Sequence, residues 1–267
     1  MPHPAPPATT PDPEGLRLTL AGHLEELRRR LGVSLAALVL AVGISASQVE
    51  RILQWLRRPA EELMPQLAFF SPSEPLFAYV KVATLAGLIL AMPVILAQLW
   101  GFVRTGLSPR ERSYGLTVIG LGSLQFLAGA ACAYYLLLPV SLRLLLGIGR
   151  GTLEPVISID RYLSFVTTMV VWCGVVFELP VVLFALAKVG LVTPEWLRQQ
   201  RPYAILVLVI LAAVATPTTD PVTLLLMAVP LWLLYELSIL GVRWPARGPT
   251  RTPPRRTTAS RPARGPT

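Results

Sequence analysis

The hydrophobic positions of this chain gather into six apolar runs separated by polar or turn-forming connections. The runs cover, approximately, residues 31–47, 76–100, 114–138, 162–189, 203–215 and 222–240. A helix needs roughly 17–25 apolar residues to cross the hydrocarbon core of a bilayer, and the first four runs reach that length. We therefore predict an all-α polytopic membrane protein with six transmembrane helices and with both termini on the same side.

Prolines and charged residues interrupt several of these runs. Pro93 predicts a kink in the second run, and Pro139 predicts the end of the third, so that residues 139–160 are expected to form a loop. Lys81, just inside the second run, is expected to extend its ammonium group to the membrane interface.

The last two runs are predicted to be short. The 13 residues 203–215 reach about 20 Å as a helix, against a hydrocarbon core of ~30 Å. The final run meets Glu236 after about 14 residues, and a tight turn at 216–221 joins it to the fifth run. Asp220 in that outer turn is placed to cap the final helix.

Residues 48–75 are predicted to form a structured cap instead of a floppy loop. Apolar side chains recur at helical spacing as far as Leu56, arginines occupy the other side, and Trp55 is expected at the depth of the lipid headgroups. Several prolines then divide the chain into rigid extended pieces.

The segment 23–31, directly before the first run, combines an apolar stripe with closely spaced charge. The stripe consists of Leu20, Leu24, Leu27 and Leu31, which indicates an amphipathic helix at the membrane surface. Glu25 and Glu26 can each pair with the arginine four residues later, and these pairs alone would explain the charges. The pattern leaves open whether the glutamates also bind a ligand.

The composition supports a membrane protein and excludes several functions. Of the 267 residues, 53% are hydrophobic and only 15% are charged. Neither histidine lies within an apolar run, and the two cysteines lie in runs without neighbouring ligands. We therefore expect no metal site, no cofactor and no enzyme active site.

The net charge of +9 is distributed unevenly over the predicted bundle. The terminal segments and the connections on their side hold seventeen Lys and Arg residues, against six on the other side, so both termini are predicted to be cytoplasmic. Residues 1–16 and 243–267 are predicted to be disordered tails flanking a membrane domain at 17–242. The basic C-terminal tail is expected to contact the lipid bilayer and not nucleic acid.

Glu178 carries the highest energetic cost in the predicted membrane core. It lies about 15 Å from Lys188 by helical rise, and an ionised carboxylate at that depth costs some 2.5–3.5 kcal/mol or more. One interpretation is a protonated acid that joins two helices, and the other is a hydrated concavity or a docking point for another polar helix. Gln125 is predicted at almost the same depth, and we expect a hydrogen bond between the two side chains.

Ordered motifs along residues 20–240 resemble those of the TatC family, the multispanning signal-peptide receptor subunit of the twin-arginine protein translocase. They are HLEELRRRL at 23–31, FVRTGL at 102–107 with ER at 111–112, FELP at 177–180, RPY at 201–203 and PLWLLYE at 230–236. Their order on six spans makes the resemblance specific. The chain departs from the family pattern at Thr105, at Thr218-Thr219 and at Leu224.

The resemblance implies a core subunit of twin-arginine protein export in the cytoplasmic (inner) membrane, where folded precursor proteins cross with the protonmotive force. By motif, Glu26 and Glu111 correspond to the glutamates that bind the signal-peptide arginines, and Arg28, Arg30 and Phe102 belong to the same surface. The resemblance further implies that the single-span proteins TatA and TatB dock at Glu178, and that the receptor complex contains further copies of the chain.

A proton-coupled small-molecule or ion transporter that uses Glu178 is the alternative. Secondary transporters are built from internal repeats, with broken helices at corresponding positions in the two halves. The sequence has no such symmetry, because the short hairpin of the last two runs has no counterpart in the first half.

Overall fold

The computed structural model describes residues 13–61, 63, 67–104, 115–148, 156–215 and 221–243. Its helices are α1 (Pro13–Ala46), α2 (Val49–Glu61), α3 (Glu74–Val103), α4 (Gly115–Cys132), α5 (Leu138–Gly147), α6 (Ile159–Phe177), α7 (Leu179–Val189), α8 (Pro194–Gln199), α9 (Arg201–Ala215) and α10 (Pro221–Arg243), with a π-helical segment at Ala133–Leu137. Five helical stretches are long and apolar enough to cross a membrane. The predicted all-α polytopic class is confirmed.

The leading segment and the first membrane span form one continuous helix. α1 runs for 34 residues from Pro13, within the predicted N-terminal tail, to Ala46, and its span begins at Leu24. Leu24 and Leu31 of the apolar stripe are 67% and 66% exposed. These leucines therefore face outward from the protein, as expected for a surface that contacts lipid.

The connection between α1 and α3 is a structured cap, as predicted. α2 is held against the bundle by Tyr134 and Tyr162, whose hydroxyls donate to the backbone carbonyls of Trp55 and Leu56 at 2.5 and 2.7 Å. A single parallel β-bridge joins Ala68 to Ser158 and ties the cap to the start of α6. The Trp55 carbonyl lies inside α2 and has no intrahelical donor, because Pro59 four residues later lacks an N–H group, so the Tyr134 hydroxyl satisfies it.

Pro139 does not end the third membrane helix, which corrects the expectation of a loop at 139–160. Helical structure continues from Gly115 to Gly147. Proline lacks an N–H group and clashes with the carbonyl one turn earlier, and the π segment relieves both effects by widening that turn. The Leu138 N–H accordingly bonds to the Ala133 carbonyl, five residues back.

The fifth run is short, as predicted, but the final helix is not. α9 has 15 residues, whereas α10 has 23, and its stretch Pro221–Gly241 is long enough to cross a membrane. Glu236 does not end α10, because Arg201 at the start of α9 donates to its carboxylate at 2.7 Å. An ion pair removes much of the cost of placing that acid near the end of an apolar helix.

α6 lies at the centre of the bundle. It packs against α3, α4 and α9, and its Leu163, Val166 and Met169 are completely buried. α1 packs along α3, and at their closest approach a Cβ atom added to Gly87 would lie 2.6–2.7 Å from the backbone and side chain of Val42. Only glycine permits the two helix backbones to approach this closely.

Replacement of Gly87 by alanine is expected to lower the free energy of unfolding by about 1–3 kcal/mol, since the new methyl group meets the backbone of Val42, which cannot move aside. SDS titration of the purified protein, followed by circular dichroism, measures this. Gly43→Ala is the matched control, because a Cβ at Gly43, next to Val42 in α1, meets nothing within 4 Å. Equal stability of the two variants would contradict the close packing of α1 on α3.

Candidate functional site

Glu26 and Arg30 form an ion pair one turn apart on α1. Arg30 donates from Nη2 and from Nε to Glu26 Oε1, at 2.5 and 3.1 Å. The side chains are only 15% (Arg30) and 25% (Glu26) exposed. The pair predicted from the (i, i+4) spacing is therefore present, and its partial burial makes it stronger than an ion pair in open water.

The same guanidinium lies across the C-terminal end of α3. Arg30 Nη1 is 3.5 Å from the Gln98 carbonyl oxygen, to which it donates. A Cβ atom at Gly101 would lie 1.8 Å from Arg30 Nη1, so the absence of a side chain at Gly101 is what admits the guanidinium. A cation is favoured at a helix C-terminus, where carbonyl groups lack partners.

Phe102 follows Gly101 at the end of α3 and is half-buried. The structure therefore brings Glu26, Arg30 and Phe102 to one end of the bundle, as the motifs predicted. Arg28 is exposed on α1, two residues from each member of the ion pair. Glu111 and Asp220 lie outside the described residues, although the chain that leads to Glu111 departs from this same end of α3.

Glu178 lies where α6 meets α7, and its side chain is turned into the bundle. It is 6% exposed. Its Oε2 would be 3.0 Å from a Cβ added to Gly122, so the carboxylate packs directly over that glycine of α4. Within the described part of the chain, neither carboxylate oxygen has a hydrogen-bond partner. A buried polar group without a partner costs about 1–3 kcal/mol, so this carboxylate is an energetically costly feature of the bundle.

The predicted hydrogen bond between Glu178 and Gln125 is wrong. The buried Oε1 atom of Gln125 also has no partner among the described residues, and both carboxylate oxygens are unpaired as well. Similar depth along two helices does not ensure that two side chains point at each other, because each helix also has a rotation about its own axis. Gln125 instead lines an open cavity of about 600 Å³ between α4, α7 and α10, together with Lys188 and Ser238.

Two ion pairs were not predicted from the sequence. Lys81 donates to Asp160 at 2.5 Å and to the Ser164 hydroxyl at 2.7 Å, so its ammonium group is held by α6 as well as extended towards the end of its helix. The other is Arg201–Glu236. The signal that could have found both was the occurrence of opposite charges near helix ends that are predicted on the same side of the membrane.

The sequence model of one protein family, described as "Sec-independent protein translocase protein (TatC)", matches residues 22–230 of this chain. The TatC protein of Carboxydothermus hydrogenoformans is 40% identical over 222 residues, which are 83% of this chain and 91% of that protein. The TatC protein of Aquifex aeolicus is also 40% identical, over 83% of this chain and 93% of its own length.

Two crystal structures of the twin-arginine translocase receptor TatC are also similar. The first aligns with a TM-score of 0.74 at 38% identity and covers 84% of this chain and 100% of its own. The second, determined in the detergent DDM, gives a TM-score of 0.74 at 39% identity over 82% of this chain and 98% of its own. These matches give no support to a small-molecule or ion transporter, nor to an enzyme. The chain is a multi-pass membrane protein that belongs to the TatC family of Sec-independent protein translocase proteins.

Proposed function

We propose that this chain is the receptor that recognises twin-arginine signal peptides of folded precursor proteins, with Glu26 and Glu111 as the carboxylates that bind the two arginines. The observation that carries the proposal is the Glu26–Arg30 pair. Glu26 already holds a guanidinium in a partly buried position at the end of α3. The surroundings of Glu26 therefore suit an arginine side chain.

Binding is an exchange of one guanidinium for another. In the resting state Arg30 donates twice to a single oxygen of Glu26. An incoming arginine can present two parallel N–H groups to the whole carboxylate, a geometry that lysine lacks. When it does so, Arg30 keeps its place against Gly101 and the Gln98 carbonyl and frames the site. Phe102 supplies an apolar surface beside it.

Glu111 adds the second carboxylate. It belongs to the connection that follows α3, whose end carries Phe102. Two carboxylates that face two adjacent arginines explain a requirement for consecutive arginines, because each charge-assisted hydrogen bond contributes about 1.5–3 kcal/mol.

Glu178 is the point at which TatA and TatB, the single-span partners, place a polar group in the membrane. The two unpaired carboxylate oxygens support this, as does the open cavity that Gln125 lines on the neighbouring face of α4. Intramembrane acids of this kind mark functional surfaces.

The receptor acts in the cytoplasmic membrane with both termini in the cytoplasm, together with further copies of itself, and transport uses the protonmotive force. The uneven distribution of Lys and Arg supports that orientation.

Replacement of Glu26 by glutamine is expected to weaken binding of a twin-arginine precursor at least tenfold, because one charge-assisted pair is lost. Glu111→Gln is expected to have a similar effect. Binding is measured with the full-length protein in nanodiscs and a fluorescent precursor. A precursor with two lysines in place of the arginines should bind the unaltered receptor with similarly reduced affinity.

Glu25→Gln is the control for this experiment. Glu25 neighbours Glu26 in sequence but is exposed, so its loss changes the net charge equally without altering the proposed site. Unchanged binding after Glu26→Gln combined with Glu111→Gln, or equal binding of the lysine precursor, would contradict the proposed function.

Replacement of Glu178 by methionine is expected to raise the free energy of unfolding of the isolated protein by about 1–3 kcal/mol, because two buried unpaired oxygens are removed. It is also expected to abolish export of a twin-arginine substrate in cells. Glu74→Met is the contrasting substitution, since the Glu74 carboxylate accepts a hydrogen bond from Ser158 at 2.7 Å and its loss should destabilise the fold. A less stable Glu178→Met protein would show that the carboxylate already has a partner within the chain.

A further inference from the structure

A second cavity, far from the proposed receptor site, lies under α2. It has a volume of about 270 Å³ and opens between α3 and the π segment that follows α4. Leu56, Leu85, Ala130 and Val170 form its buried floor. We call this cavity the α2 slot.

The chemistry of the α2 slot suits a hydrocarbon chain. Its lining, taken over the residues that the structure describes, contains no charged side chain. Of its polar atoms, the Tyr134 hydroxyl is already used, since it donates to the Trp55 carbonyl. Trp55 and Tyr134 are stacked with ring centroids 4.0 Å apart, so one wall of the slot is a rigid aromatic surface. A polar ligand would lose its hydration here without gaining hydrogen bonds in return.

The α2 slot opens to the outside of the bundle and not to its interior. Three residues at its rim, Trp55, Leu127 and Tyr135, are 40%, 51% and 67% exposed. Leu127 and Tyr135 lie on the membrane-crossing stretch Gly115–Gly147, so the opening faces the space that lipid occupies. Trp and Tyr residues with an apolar body and a polar edge prefer the headgroup region of a bilayer. The mouth of the slot therefore lies near the membrane interface.

The rim also carries positive charge. Arg51 and Arg58 lie four residues before and three residues after Trp55, so the three side chains share one face of α2. Both arginines are exposed. Glu50 lies about 140° from Trp55 around the helix axis, on another face. Glu61 lies three residues after Arg58 and, like Arg58, is close enough to Tyr134 of the slot to act on it electrostatically. An anionic group above the mouth of the slot would thus meet two guanidinium groups, against one nearby carboxylate of α2, that of Glu61.

We propose that the α2 slot binds one anionic phospholipid. One acyl chain fills the slot beneath Trp55, and the phosphate is bound by Arg51 and Arg58. The volume lies just below the range of about 300–1,000 Å³ that is usual for ligand clefts, which suits a single flexible chain better than a bulky ring system. The guanidinium groups give the site its preference for an anionic headgroup.

Native mass spectrometry of the full-length protein tests this, with phosphatidylglycerol and phosphatidylcholine of identical acyl chains added in turn. We expect one phosphatidylglycerol molecule to be retained preferentially. Arg51→Gln combined with Arg58→Gln should weaken phosphatidylglycerol binding by about fivefold for each arginine and leave phosphatidylcholine binding unchanged. Arg29→Gln combined with Arg198→Gln, two exposed arginines outside α2, is the control for net charge.

Ala131→Leu, which extends a lining residue into the slot, should weaken binding of both lipids. If that variant does not fold, Ala86→Leu on the opposite wall replaces it in the same experiment. Ala36→Leu, on an exposed face of α1, is the control for added volume. Equal retention of the two lipids by the unaltered protein would overturn the headgroup assignment. Undiminished lipid binding by the Ala131→Leu protein, or a change only in its oligomeric state, would assign the slot to something other than lipid.

Discussion

The register of α1 against α3 fixes the geometry on which the proposed receptor site depends. Two glycines of α3 set that register: Gly87 touches the backbone of Val42, and Gly101 admits the guanidinium of Arg30. Fourteen residues separate the glycines on α3, which is about 21 Å of helix. Contacts this far apart prevent α1 from sliding or rotating independently of α3. Glu26 is consequently held beside the end of α3, where the connection that carries Glu111 begins.

The membrane explains why polar groups in this protein occur at a few places with specific partners. Most of the described polar side chains of the spans are bonded, as in Lys81–Asp160, Arg201–Glu236 and the tyrosines under α2. Glu178 differs, because its carboxylate is buried over Gly122 without a partner in the described part of the chain. Intramembrane acids are costly and mark functional surfaces. Glu26 and Glu178 thus differ in their resting states, one with an internal arginine and the other with no partner from the described residues.

Much of the fold follows from hydrophobic periodicity, since run length alone predicts the membrane helices and the shortness of α9. What periodicity misses is how a helix tolerates an unfavourable residue. Pro139 remains inside a helix because the π segment widens the preceding turn, and Glu236 remains inside α10 because Arg201 reaches it. Both outcomes depend on three-dimensional neighbours. The predicted Gln125–Glu178 hydrogen bond is absent for a related reason, because sequence spacing gives the depth of a residue in the membrane but not the rotation of its helix. The Glu26–Arg30 pair was predictable because both residues lie on one helix.

In the proposed mechanism, a signal-peptide arginine takes the place of Arg30 at Glu26, beside Phe102. Photo-crosslinking tests it most directly, with p-benzoylphenylalanine in place of Phe102 and a precursor labelled next to its arginine pair. We expect a crosslink to the twin-arginine precursor, and we expect it to be lost with a twin-lysine precursor and in the Glu26→Gln receptor. A crosslink of equal yield in all three cases would contradict it, because the end of α3 would then contact the signal peptide without any contribution from the carboxylate.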